Sequence, residues 1–185
     1  MKILFFDTET TGKAFFRLPS THPSQPRMVS LGAILTDGVY ELASLDLTIK
    51  PDGFEIPDEA AAIHGITNER ANALGIPILS AIYLLSGLVA LADRCVAHNI
   101  QFDQIIVERE SLSGFFGKRP LVCTMDAMTP IPVTIGSGSM NFPQEQVRQF
   151  AELQKDSRCR PQENLVDSLF LKLSCIGHAK CLAVC

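Results

Sequence analysis

The chain has 185 residues and a mass of 20.2 kDa, the size of one domain, with 46% hydrophobic and 19% charged residues. That balance excludes a disordered, collagenous or coiled-coil chain, and a core of this size needs no cross-links. Sixteen basic against 20 acidic residues give a net charge of −4, which excludes non-specific coating of nucleic acid but allows an acidic enzyme that meets it through metal ions.

Residues 2–6 (KILFF) form a short apolar run of strand type, ended by Asp7. A signal peptide needs a longer apolar core, so export is not expected. Residues 13–26, rich in Pro, Ser and Phe, read as a loop. Two strands follow at 27–36 and 39–49, joined by a two-residue hairpin turn at Asp37 and Gly38. Residues 50–54 (KPDGF) make a turn, and short helical pieces at 57–63 and 68–74 flank His64 and Gly65.

Residues 74–92 (LGIPILSAIYLLSGLVALA) carry no charge and approach the length of a membrane span. Pro77 suits the first turn of a helix, while Ser80, Tyr83, Ser86 and Gly87 interrupt the apolar face. The segment therefore reads as a heavily buried helix, with no membrane partner. A strand at 94–97, an amphipathic helix at 102–113 and a strand at 120–123 come next. An irregular loop is expected at about 129–143, then a helical part over 144–185.

Strands come first, then helices and strands alternate, which predicts a single α/β domain over 1–185 with a mixed sheet. Of the six cysteines, Cys95 and Cys123 stand alone, and Cys159, Cys175, Cys181 and Cys185 crowd the end. Without a secretory context they do not suggest a disulfide framework, so a reducing, cytoplasmic setting is expected.

The densest chemistry lies at Asp7-Thr8-Glu9-Thr10-Thr11-Gly12. Asp7 and Glu9 are two apart at the end of a strand, so their side chains share one side of the pleat. Two adjacent carboxylates repel unless a cation lies between them, and hard oxygen donors suit Mg²⁺ or Mn²⁺. A third acid, Asp103, falls in the first turn of a helix that follows the polar pair His98 and Asn99. An acid there also favours the helix macrodipole. Beside a D-x-E strand, the metal-ligand reading is the stronger one.

Together these segments resemble the DEDD superfamily of 3′–5′ exonucleases, in the histidine-containing branch of ribonuclease T and the DNA polymerase III epsilon-like proofreading subunits. The resemblance is strong over 2–103, including Lys50-Pro51-Asp52-Gly53-Phe54 and Ile63-His64-Gly65-Ile66-Thr67. It weakens through Cys123-Thr124-Met125 and is loose beyond Thr129. It implies a ribonuclease H-like fold, a mixed sheet flanked by helices. It further implies a nuclease that hydrolyses phosphodiesters from a single-stranded 3′ end, with Mg²⁺ or Mn²⁺ in a two-metal site.

By that resemblance Asp7, Glu9 and Asp103 are metal ligands, and Thr10, Thr11, Gly12, His64 and Phe102 grip the terminal nucleotide. His178 becomes the general base, since an imidazole of ordinary pKa, about 6.5, suits proton abstraction near neutrality. The family has an Asp five positions after this His, where this chain has Ala183. Either Ala183 is an inactivating substitution or the chain has drifted from the family here. The expectation is an exonuclease framework impaired by a missing fourth acid. The alternative is a non-catalytic nucleic-acid-binding module on the same fold.

Other readings compete in places. Cys175, His178, Cys181 and Cys185 have spacings that a structural zinc would accept, although a helix would make the last two ordinary buried cysteines. His22 and His98 read as structural. Phe15 and Phe16 are either core residues or a stacking surface for bases.

Overall fold

The computed structural model of the chain describes residues 1–111 and 113–128. In chain order these form β1 (Ile3–Thr10), β2 (Met28–Thr36), β3 (Glu41–Thr48), α1 (Asp58–His64), α2 (Asn68–Leu74), α3 (Ile78–Leu91), β4 (Arg94–Ala97), α4 (Ile100–Glu110), β5 (Leu121–Cys123) and α5 (Thr124–Met128). The strands lie in one sheet of order β3-β2-β1-β4-β5. β2 runs antiparallel to both β1 and β3, whereas β4 runs parallel to both β1 and β5. Strand order and direction are those of the ribonuclease H-like mixed sheet that the motifs imply.

β1 is central because both of its faces are apolar. Leu4 and Phe6 join the main core with α3 and α4, and Ile3 and Phe5 join Ile34 and Val96 in a second cluster. Burying each such side chain is worth about 1.5–3 kcal/mol, which favours a strand covered on both sides. β1 runs further than its apolar run predicts, through Asp7, Thr8, Glu9 and Thr10. β2 stays paired with it as far as Thr10 opposite Met28, past a bulge between Glu9 and Thr10. Backbone pairing thus overrides the polar side chains, and the paired acids stand inside the strand's last half.

The hairpin after β2 also differs from expectation. Thr36 pairs with Glu41, so the loop holds four residues, Asp37, Gly38, Val39 and Tyr40. Asp37 Oδ1 accepts from the N–H groups of Val39 and Tyr40, both at 2.8 Å, and Gly38 takes φ 98°. The carboxylate closes the wider turn in place of a second left-handed residue.

α3 is shorter and less enclosed than the sequence suggests. Among the described residues no helix is long and apolar enough to cross a membrane. Ala81, Ile82, Leu85, Leu88 and Val89 are buried, while Leu79, Tyr83, Leu84 and Leu91 are exposed. One stripe faces the sheet, and the apolar residues outside that stripe face outward. α4 starts at Ile100, two residues earlier than expected, because Asn99 turns the chain at φ 61° and ψ 56°. Asn tolerates this left-handed conformation better than most residues. Cys95 is a core residue whose thiol burial pushes up to about 11, with Arg119 pulling the other way.

α1 and α2 pack Ile56, Ala60, Ile66 and Ala71 against Val29 as a small satellite core. The segment that carries them is pinched shut at its base. Lys50 N–H donates to the Ile76 carbonyl and Ile76 N–H to that of Thr48, both at 2.9 Å. Gly75 sits in the pinch, where a Cβ would lie 2.3 Å from the Ala71 oxygen and 2.5 Å from the Lys50 nitrogen. The expected loop at 129–143, the helical part over 144–185, the cysteine-rich tail, His178 and Ala183 lie outside the described residues.

Candidate active site

β1 and β4 pair only over Ile3 to Phe5 opposite Arg94 to Val96. β4 ends at Ala97, so the outer half of β1 loses its partner on that side, at the carboxyl ends of two parallel strands. Such a point is where open α/β sheets form clefts. The Asp103 side chain of α4 takes up a backbone N–H in that outer half. Asp103 Oδ1 accepts from Thr8 N–H at 2.9 Å and from Thr8 Oγ1 at 2.8 Å. Asp103 is fully buried, and each hydrogen bond to its charged oxygen is worth about 1.5–3 kcal/mol.

Thr8 is flanked by the other two acids. Strand alternation puts Asp7 and Glu9 on the side of Ile3 and Phe5, opposite Thr8 and its contact with α4. Asp7 is half-buried and Glu9 is buried. Asp103 is therefore bonded to β1 at Thr8, between Asp7 and Glu9 in sequence, while those two side chains leave the strand on its other face. The donor set fits a hard divalent cation in kind. In placement it does not make a closed site: among the described residues no three His, Cys, Asp or Glu side chains are grouped so as to hold an ion.

Thr10, Thr11 and Gly12 continue from this end as a braced turn. Thr10 Oγ1 donates to the Gly12 carbonyl at 2.6 Å. Thr11 N–H donates to the Arg27 carbonyl at 3.0 Å, and Arg27 N–H returns a bond to Thr11 Oγ1 at 2.9 Å. A Cβ on Gly12 would meet no atom within 4 Å, so the backbone there stands in open space.

His64 reaches the same turn from α1. Gly65, at φ 74°, caps that helix in the left-handed conformation that glycine adopts without cost. Behind it the His64 ring is buried, and Nδ1 accepts from Ile66 N–H at 3.1 Å. The neutral ring then carries its proton on Nε2, which lies buried near the Thr10 backbone without completing a hydrogen bond. Burial holds the imidazole below its usual 6.5, with the Thr10 backbone opposing the shift. His64 is thus neutral near pH 7 and lies beside one of the residues with which the motif groups it.

Phe102 neighbours Asp103 but packs partly into the main core. His98 joins β4 to α5, its Nδ1 lying 3.2 Å from Oγ1 of the buried Thr124. Phe15 and Phe16 do not belong to the core: both are about half exposed.

Sequence reasoning misses Arg27 and Glu110. The Arg27 guanidinium meets Glu110 in a fork, Nε to Oε1 at 2.7 Å and the second nitrogen to Oε2 at 3.1 Å. Met28 N–H adds a third bond to Oε1 at 3.1 Å, and the guanidinium lies 4.6 Å from the Phe54 ring centroid. The pair ties the end of α4 to the start of β2, beside Thr11. Spacing alone would show Glu110 on the same helix face as Asp103, but not which cation it meets.

The sequence profile of the RNase T family, described as exonuclease, matches residues 4–117 of the chain. No curated protein sequence matches it. Among solved structures, a product-bound exonuclease I superposes with a TM-score of 0.58 at 17% identity, covering 96% of this chain and 44% of its own. Exonuclease I from Methylocaldum szegediense gives 0.59 at 18% identity, with 94% and 40% covered. E. coli exonuclease I in complex with a dA13 oligonucleotide gives 0.57 at 17% identity, with 95% and 40% covered. The likeness establishes the fold, and the chain spans about two fifths of the length of the structures it matches.

Proposed function

The chain belongs to the RNase T exonuclease family, of the DEDD type, and from that premise we propose that it hydrolyses nucleic acid from a single-stranded 3′ end with the help of Mg²⁺ or Mn²⁺. The observation that carries this reading is the placement of Asp7 and Glu9 on the last half of β1, with Asp103 of α4 bonded to Thr8 between them in sequence. Asp7, Glu9 and Asp103 would hold the metal. Bound divalent ions supply charge neutralisation at the scissile phosphate and favour attack by water. The chain's own residues do the rest: Thr10, Thr11, Gly12 and His64 hold the terminal nucleotide, Phe102 backs it, and His178 takes the proton of the attacking water.

His64, being neutral, adds no charge at the turn it lies against. This sequence has Ala183 where the family has its fourth acid, so turnover is expected to be slow. That same residue favours the second reading, a binding module that no longer cuts.

The test is release of nucleotides from 3′-labelled single-stranded DNA and RNA with Mg²⁺ and with Mn²⁺. Metal-dependent shortening that disappears in Asp7→Ala supports the exonuclease. Tight binding of the strand without shortening in either metal would replace it with the binding module.

A further inference from the structure

Phe15 and Phe16 expose 52% and 49% of their surface. Exposed Lys13 and Arg17 stand on either side of them, in a chain whose net charge is negative. The segment follows Gly12 directly, at the end of β1 that carries the acids.

The loop that presents these rings is built, not slack. Gln25 is 2% exposed and spends its whole amide on the loop backbone. Its Oε1 accepts from Phe15 N–H at 3.0 Å, and its Nε2 lies 3.0, 3.2 and 3.3 Å from the carbonyls of Phe15, Leu18 and Pro19. Leu18 N–H closes a turn on the Phe15 carbonyl at 2.9 Å, and Ser20 Oγ lies 3.4 Å from Glu108 Oε2 on α4. A buried amide whose bonds all go to one loop fixes the backbone that carries Phe15 and Phe16, whose rings stay in water between two cations in sequence. That is the composition of a surface that stacks bases and pairs phosphates.

We propose that Lys13, Phe15, Phe16 and Arg17 form a second nucleic-acid subsite, which holds the single strand upstream of the nucleotide in the candidate active site. The Phe15 and Phe16 rings stack on unpaired bases, and Lys13 and Arg17 neutralise phosphates between them. Stacking accepts any base but needs it unpaired, so this subsite selects single strands over duplexes without selecting sequence. The proposal rests on the nuclease reading and adds to it a length requirement. A strand long enough to leave the active site gains affinity that a dinucleotide cannot.

The test is fluorescence anisotropy of the full chain with a labelled thymidine dodecanucleotide, in the presence of a chelator so that nothing is cut. Phe15→Ala and Phe16→Ala should each weaken binding about tenfold. Phe16→Trp should retain affinity, and all of these should leave the thermal midpoint unchanged because both rings are exposed. Competition by a dinucleotide should be the same for every variant, and raising salt should weaken the wild type more than Lys13→Ala/Arg17→Ala. If the phenylalanine variants bind the dodecanucleotide like the wild type while Asp7-dependent cutting persists, the subsite is overturned and the nuclease stands. If the wild type neither binds nor cuts the strand, the nuclease reading fails and the subsite with it. Equal loss for dinucleotide and dodecanucleotide would also overturn it, since the rings would then belong to the terminal pocket.

Discussion

Asp103 and Glu110 lie seven residues apart on α4, and each closes on a backbone N–H of a different strand. Seven residues return to the same helix face about 10 Å further along the axis. At one end of that span Asp103 takes Thr8 N–H of β1, and at the other Glu110 takes Met28 N–H of β2. The helix is therefore fastened to the sheet at two points, and the second point sets the angle at which Asp103 meets the end of β1.

The Arg27–Glu110 pair should behave as one energetic unit. Glu110 is 4% exposed and Arg27 25%, so loss of either leaves the other poorly solvated. Arg27→Ala and Glu110→Gln should each cost about 2 kcal/mol, below the figure for a fully buried pair. The double variant should fall short of their sum by about 1 kcal/mol or more. Urea unfolding of the four proteins measures this, and additive losses would show that the fork carries no coupling.

Thr8→Val removes one donor from Asp103 and keeps both the backbone N–H and the shape of the side chain. Stability should fall by about 1–2 kcal/mol, because a buried carboxylate oxygen loses a bond. Cutting should slow about tenfold as Asp103 loses its fixed position. A stability loss with no change in rate would separate Asp103 from the reaction.

His64 should make the fold sensitive to mild acid. Its folded pKa lies below the unfolded 6.5 because burial disfavours the charged ring. Between the folded value and 6.5 the unfolded chain binds more protons, so stability rises with pH through that window and is lost as pH falls from 6.5 towards the folded value. The slope is at most about 1.4 kcal/mol per pH unit for one group. His64→Gln should flatten the difference in unfolding free energy across this window, and an unchanged slope would mean that folding does not lower the pKa of the ring.

Ala183→Asp should restore the fourth acid. The recovered step corresponds to as much as about 4 kcal/mol, or a thousandfold in rate. It should be seen with Mg²⁺ and should disappear when Asp7→Ala is added. A restored protein no faster than the present one under Mg²⁺ or Mn²⁺ would favour the binding module.

Local chemistry made the sheet and the acids readable. The apolar run of residues 2–6, the D-x-E that follows and the polar pair before α4 all announce themselves within a few residues. Contacts between distant segments did not. That β1 continues to Thr10 depends on Ser30 and Met28 opposite it, and Thr8 as the anchor of Asp103 depends on a gap left by a short β4. Gln25 reads as one more polar loop residue until its amide is seen closing on Phe15, Leu18 and Pro19. The exposed side of α3 was hidden for the opposite reason. Ser80, Tyr83, Ser86 and Gly87 mark part of it, but Leu79, Leu84 and Leu91 are as apolar as the buried residues and gave no sign of facing outward.

The pinch at Lys50 and Ile76 closes the segment between them into a lobe, which also rests on Val29, on Arg27 through Phe54 and on the Thr10 backbone through His64. Its two ends are already bonded to each other, so lengthening or shortening it costs only slowly growing loop entropy and leaves strand register untouched. The segment therefore behaves as a cassette whose length can change while the acids stay where they are. The hinge of the cassette has one fixed requirement, a residue without a side chain at Gly75, because a methyl group there would collide with the backbone of both Ala71 and Lys50. Grafting experiments should thus cut inside the joint and carry that glycine with the scaffold.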